Sequence, residues 1–117
     1  MSTSRTILLL VALCVLAAAS GCVATRFEGI DYRDQELRIL ADNEGAPAAE
    51  AVLQVGIARV NGFEQTEIYR QAMYVPLVSG VNEYSVPIEL EPGSYRVYLH
   101  LFVGNDRRAS VIRDLEI

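Results

Sequence analysis

The feature that most constrains the fold is an apolar-polar alternation in the last third of the chain. Every second residue of one segment is apolar or aromatic: Tyr95, Val97, Leu99, Leu101 and Val103. Successive side chains of a β-strand point to opposite faces, so this period predicts a strand with one face in a core. The segment from Tyr84 to Leu90 has the same period, and Pro87 on its other face indicates an edge strand or a bulge.

A turn sequence joins these two segments and carries a resemblance. Leu90-Glu91-Pro92-Gly93-Ser94-Tyr95-Arg96-Val97-Tyr98-Leu99 resembles the Pro-Gly-x-Tyr-x-Val hairpin that is common in immunoglobulin-like, transthyretin-like and carboxypeptidase-regulatory-like sandwiches. Glycine permits the turn geometry, and the aromatic ring closes the edge of the sandwich. The resemblance implies a fold class and no chemistry.

Further segments predict strands that are separated by turn residues. The strands are expected at 36–40, 51–60, about 67–77 and 109–117. A loop is expected at 42–47, and Asn61-Gly62 predicts a tight hairpin with both residues at positive φ. Two alternatives stay open, a helix that begins near Pro47 and a helix capped by Asn61. Short strands between frequent turns predict an all-β fold, a small antiparallel β-sandwich of the immunoglobulin-like or transthyretin-like kind.

The first residues of the chain have the pattern of an export signal. Arg5 precedes an apolar run over 7–19, which is shorter than the about 20 apolar residues of a membrane-spanning helix. The run ends in Ala19-Ser20-Gly21-Cys22, which resembles the lipobox of bacterial lipoproteins, with Ala19 in the place where leucine is usual. A plain signal peptide cut after Ala19, which would leave Cys22 as a free thiol, is the alternative. The expected organisation is a cleaved lipoprotein signal peptide at 1–21, a lipidated N-terminus and tether at 22–34, and one β-sandwich domain at 35–117.

The lipoprotein resemblance implies how the chain is held and where. Cys22 would carry a thioether-linked lipid and an acylated amine, because two or three acyl chains anchor a protein firmly and one does not. Cys14 would leave with the signal, so no intramolecular disulfide is expected. Among bacterial lipoproteins, an aspartate directly after the lipidated cysteine tends to retain the protein in the inner membrane, and Val23 stands there in this chain. The resemblance therefore implies an outer-membrane location facing the periplasm, in an organism with two membranes.

Composition argues against several classes of function. The formal net charge is −5, and the arginines are dispersed among acidic residues. Phosphate binding needs a clustered basic face, so no nucleic-acid partner is expected. His100 is the only histidine, and no spacing of possible ligands is typical of a metal site, so we expect no metal, no cofactor and no enzymatic activity. The acidic pairs Glu64/Glu67 and Glu89/Glu91 are interpreted as solvated surface.

Three residues are candidates for a partner-binding site. Tyr98, His100 and Phe102 lie on the face of their strand opposite Leu99, where a two-layer sandwich is usually polar. An exposed aromatic stripe there predicts a protein-binding surface, whereas a covering loop or tether would make it a second buried face. We therefore expect a lipid-anchored, non-enzymatic binding or assembly module whose partner is an envelope protein. The alternative is a periplasmic carrier of a small ligand or carbohydrate, which needs a concave, aromatic-lined pocket.

Overall fold

A computed structural model describes residues 24–117, which form seven β-strands. The strands are β1 (Thr25–Arg33), β2 (Glu36–Asn43), β3 (Ala48–Asn61), β4 (Glu64–Leu77), β5 (Gly80–Pro87), β6 (Ser94–Val103) and β7 (Asp106–Glu116). Each region where the sequence predicted a strand contains one. The two segments with a helical alternative are β3 and β4, so both are extended.

The strands pair into two antiparallel sheets. One sheet has three strands in the order β1-β2-β5, and the other has four in the order β4-β3-β6-β7. Every neighbouring pair within a sheet is antiparallel. This arrangement confirms the predicted all-β fold and is consistent with a small β-sandwich. Within residues 24–117, no helix has the length and apolar character needed to cross a membrane.

The core lies between the sheets and is built from alternate residues of each strand. From β6 the four-stranded sheet supplies Val97, Leu99 and Leu101, which are completely buried. The other sheet supplies a second set of buried apolar residues: Phe27, Leu37, Ile39, Ala41, Tyr84 and Val86. The inward face of β6 is therefore the one that the alternation predicted, and its burial supplies hydrophobic stabilisation to the fold.

β5 lies at the edge of the three-stranded sheet, in agreement with the position of Pro87. Pro87 is the last residue of β5 and pairs with Glu36 of β2. Proline has no main-chain N–H to donate to a further strand, so the edge is where a sheet tolerates it.

The sequence predicted a tether at 22–34, and over Thr25–Arg33 this prediction is wrong. These residues form β1, which pairs with β2. Thr25 and Phe27 are buried, and Ile30 and Tyr32 pack against the core while partly buried. The register shifts between Phe27 and Gly29, so the inward positions change from odd-numbered to even-numbered residues. This change of phase hides the alternation of β1 in the sequence.

Two hairpin turns have positive φ angles at different positions from those expected. Asp34 and Gln35, between β1 and β2, have φ values of 54° and 61°, which is typical of a two-residue type I′ turn. At the β3–β4 hairpin Gly62 has a φ of 62°, but Asn61 is not among the residues with positive φ, so that part of the prediction is wrong. The reason is that β3 stays paired as far as Asn61, opposite Glu64, and the turn is Gly62-Phe63.

The first strand begins at the end of the sandwich opposite the β3–β4 hairpin. Thr25 pairs with Asn43, whose side chain accepts hydrogen bonds from Thr25 Oγ1 at 2.9 Å and from the Gly45 amide at 3.0 Å. β3 leaves this end at Ala48 and has 14 residues. At about 3.3 Å per residue, a strand of that length carries the hairpin roughly 45 Å away. We call the end with Thr25 and Asn43 the N-terminal end of the sandwich.

Candidate binding surface

Tyr98, His100 and Phe102 lie on the outer face of the four-stranded sheet, away from the core. All three are partly exposed, and they alternate along β6 with the buried Val97, Leu99 and Leu101. β1, in the region expected to be a tether and a cover for this face, belongs to the other sheet. We call this surface the outer sheet face. The strand register decides which residues accompany the three candidates on it.

Tyr98 lies across Gly56 of β3, its partner in the register. A Cβ atom placed on Gly56 would meet Tyr98 Cβ at 3.6 Å, so the aromatic side chain packs on a residue that has no side chain of its own. The Tyr98 hydroxyl donates a hydrogen bond of 2.8 Å to Gln65 Oε1 on β4. This bond connects β6 to the β3–β4 hairpin across β3.

His100 contacts neighbours on β6 and β7. Its Nδ1 lies 2.9 Å from Ser110 Oγ, which is the register partner on β7. Its ring centroid lies 6.3 Å from that of Phe102, with the two planes tilted by 38°. Among the described residues, no carboxylate hydrogen-bonds to the imidazole. A nucleophilic triad has a third group that orients the base, and none of the described residues takes that position at the His100–Ser110 pair.

Phe102 is part of a line of apolar side chains that crosses three strands. Val52 of β3 pairs with Phe102 on one side and with Tyr74 of β4 on the other. Tyr74 is 78% exposed, while Val52 and Phe102 are partly exposed. We call Tyr74, Val52 and Phe102 the apolar row. Arg107 of β7 continues the row as the register partner of Phe102.

A groove occupies the other half of the outer sheet face, toward the β3–β4 hairpin. It has a volume of about 740 Å³. Its wall residues include Gln54, Gln65, Tyr98 and His100, and its floor includes small residues of β3 and β4: Gly56, Ala58 and Ala72. The register shifts between Ile57 and Ala58, where Ile68 of β4 is left without a partner. A bulge of this kind increases the local twist of a strand.

Two pairs of oppositely charged side chains lie around this face. Arg70, at the groove, contacts both carboxylate oxygens of Glu67 at 2.9 Å. Beyond Tyr98 on β6, Arg96 Nε donates to Asp114 Oδ1 at 2.9 Å. The hydrogen bond to Asp114 and its negative charge raise the pKa of the Arg96 guanidinium above its usual value. Both pairs are exposed, so they fix local geometry and add little stability.

The sequence also predicted a lipidation site and no metal site. Cys22, the expected lipidation site, lies outside the described residues. Within 24–117, no three His, Cys, Asp or Glu side chains lie close enough together to hold a metal ion.

Sequence reasoning missed the partners of the three candidates on neighbouring strands. Gly56, Gln65 and Tyr74 belong to strands whose register cannot be read from one sequence. One signal was present: Gly56 interrupts the apolar pattern of β3, and an isolated glycine in a strand marks a close approach or a bulge.

Comparison with known proteins gives a likeness in fold and no family. No family model and no curated protein matches the chain. One similar solved structure is that of a protein named "putative beta-galactosidase" from Bacteroides fragilis, with a TM-score of 0.51 and 14% sequence identity. The match covers 80% of this chain and 16% of that chain. At this identity the likeness shows the fold alone.

Proposed function

We propose that this protein is a lipid-anchored, non-enzymatic module of a bacterial cell envelope that docks a protein partner through the apolar row. The observation that carries the proposal is that Tyr74 is exposed beside Val52 and Phe102. Without a partner, this apolar row would be in contact with water. Aromatic residues at the centre of an interface supply much of its binding energy.

We also propose that the sandwich is of the immunoglobulin-like kind. The first support is the strand order, because β3 pairs with β6 and β4 in one sheet while β2 pairs with β5 in the other. A second support is the hydrogen bond from the Tyr95 hydroxyl to the Glu91 carbonyl at 2.6 Å. A tyrosine at the start of the sixth strand that bonds back to the preceding corner is a hallmark of such sandwiches. Folds of this kind serve many functions, so the fold alone does not name one.

The position of the apolar row favours an envelope protein that lies beside the membrane anchor. The apolar row lies closer to the N-terminal end of the sandwich than it does to the β3–β4 hairpin, because Val52 comes only four residues after Ala48, the first residue of β3. A lipid on Cys22 would place that end close to the bilayer. Arg107 borders the row, so the partner surface is expected to be apolar with an acidic rim.

Site-specific photo-crosslinking in cells tests the docking surface. A photoreactive phenylalanine analogue replaces Tyr74, and in a matched control it replaces Val81, which is 62% exposed on β5 of the other sheet. We expect one crosslinked protein at position 74, its loss when Phe102→Ser is added, and no such product at position 81. Crosslinks to lipid alone, or the same product from both positions, would contradict the proposal.

The lipid anchor has a separate test. The sulfur of Cys22 is the proposed attachment atom, so Cys22→Ser should abolish lipidation and move the protein from the detergent phase to the aqueous phase, or leave the signal uncleaved. Phase partition and intact mass of both forms measure this. The same distribution for wild type and Cys22→Ser would show that the chain is not a lipoprotein.

The proposed location is the outer membrane, facing the periplasm. An acidic side chain beside the acylated amine can pair with lipid headgroups, whereas Val23 cannot. Membrane fractionation should therefore find the wild type with outer-membrane markers and Val23→Asp with inner-membrane markers. A wild type in the inner membrane, or a variant that does not move, would contradict this location.

A further inference from the structure

The floor of the groove has space for a ligand, but the main chain of β3 has no free groups to bind one. Gly56, Ala58 and Ala72 leave the space that larger side chains would fill. β3 is paired on both sides over this stretch, with β4 and with β6. The main-chain groups of β3 are therefore engaged in the sheet, so an extended peptide lying on the floor could not bind to β3 by adding a strand.

The walls offer neutral polar groups and one aromatic ring. Gln54 and Gln65 have side-chain amides, which both donate and accept hydrogen bonds, and Tyr98 has a hydroxyl. The Tyr98 ring is held in place from two sides, by Gly56 beneath it and by the bond to Gln65 at 2.8 Å. A ring fixed in this way is a preorganised stacking surface.

The charges at the groove argue against an ionic ligand. Glu67 and Arg70 are both lining residues, and they form a two-point ion pair with each other. A phosphate or carboxylate ligand would have to compete with Glu67 for the guanidinium of Arg70. An apolar ligand would cover the Gln54 amide and the amide nitrogen of Gln65 without offering them hydrogen-bond partners, which costs free energy when such groups are buried.

We propose that the groove binds a neutral oligosaccharide. Hydroxyl groups of a sugar match the amides of Gln54 and Gln65 and the imidazole of His100, and the apolar face of a sugar ring matches the ring of Tyr98. The volume of about 740 Å³ is within the range of small-ligand sites. This binding site is separate from the protein-docking row: Tyr98 and Gln65 belong to the groove, and Tyr74 and Phe102 belong to the row.

Calorimetric titration of the full-length protein in detergent tests the inference. The probes are the neutral oligomers chitohexaose, cellohexaose, laminarihexaose and maltohexaose, with oligogalacturonate as the acidic comparison. We expect at least one neutral oligomer to bind, and Tyr98→Ala to weaken its affinity by roughly tenfold or more. Gln54→Ala should also weaken it, because a hydrogen-bonding group is lost.

Two controls keep this result distinct from misfolding and from the docking proposal. Ile112→Ala changes an exposed neighbour of Tyr98 in the register that does not line the groove, and it should bind as the wild type does. Val52→Ser, in the apolar row and outside the groove lining, should bind the sugar normally while losing the crosslinked protein. Binding of no neutral oligomer, a preference for the acidic one, or equal weakening by Tyr98→Ala and Ile112→Ala would overturn the inference.

Discussion

The Tyr95 hydroxyl lies 2.6 Å from the main-chain carbonyl oxygen of Glu91, to which it donates a hydrogen bond. The bond closes the corner where the chain passes from the three-stranded sheet to β6. The ring of Tyr95 is 2% exposed, so one side chain both fills the core and satisfies a carbonyl at the edge of the sandwich.

Tyr95→Phe should keep the packing and remove this bond. The expected loss in the free energy of unfolding is about 0.5–1.5 kcal/mol. For a domain of this size, each kcal/mol lowers the melting temperature by about 4–8 °C. Tyr98→Phe is the matched control, because its lost bond to Gln65 is exposed and should matter less. A larger effect of Tyr98→Phe in thermal unfolding would show that the corner is unimportant.

The register of β6 can be tested with two adjacent residues. Leu99 is completely buried and His100 is partly exposed on the opposite face. Leu99→Ala should cost about 2–5 kcal/mol through lost burial and the cavity left behind. His100→Ala should change stability by no more than about 0.5 kcal/mol. Similar shifts in urea unfolding for both variants would mean that the strand is one residue out of register.

The buried residues of a strand can be predicted from the sequence only where apolar and polar residues alternate without interruption by a bulge. β6 has no bulge between Tyr95 and Leu101, so its buried residues could be named in advance. β1 contains a bulge at Phe27/Gly29, and its apolar residues fall on odd and then even positions. A period of two that changes phase after three residues cannot be distinguished from polar linker in one sequence.

The candidate surface was predictable along one strand and not across strands. The alternation placed Tyr98, His100 and Phe102 on one face, since that needs only the period of β6. Their neighbours on β3 depend on pairings between residues more than forty positions apart, such as Tyr98 with Gly56 and Phe102 with Val52. The bulge at the groove, opposite Ile57 and Ala58, had only Gly56 as a signal, and a glycine in a strand marks a close approach as readily as a bulge.

Tyr84 should make stability fall in alkaline solution. Burial raises the pKa of its phenol above the usual 10.0, and its hydroxyl donates to the Pro76 carbonyl at 2.8 Å. The folded protein therefore holds this proton to a higher pH than the unfolded chain does. Stability from Tyr84 is complete below about pH 10 and is lost as the pH rises through the folded-state pKa.

Urea unfolding at pH 7 and at about pH 10.5 measures this contribution. Tyr84→Phe should be less stable than wild type at pH 7, because the hydrogen bond is lost, and should show a smaller decrease at the higher pH. Tyr74→Phe alters a tyrosine that is 78% exposed and should keep the decrease seen in the wild type. An unchanged decrease in Tyr84→Phe would show that another group controls alkaline stability.

The β1–β2 turn should gain stability from glycine. Gln35 has a φ of 61°, a conformation that costs a residue with a side chain roughly 1–2 kcal/mol. Gln35→Gly removes that cost and keeps the main-chain carbonyl that accepts from the Ile88 amide at 3.0 Å. Glycine also loses more entropy on folding, so the expected net gain is about 0.5–1 kcal/mol.

Gln35→Val is the opposing control, because a β-branched residue is the least suited to positive φ, and it should lower the melting temperature. A lower melting temperature for Gln35→Gly, or a tolerated Gln35→Val, would mean that this turn is not of type I′ in solution.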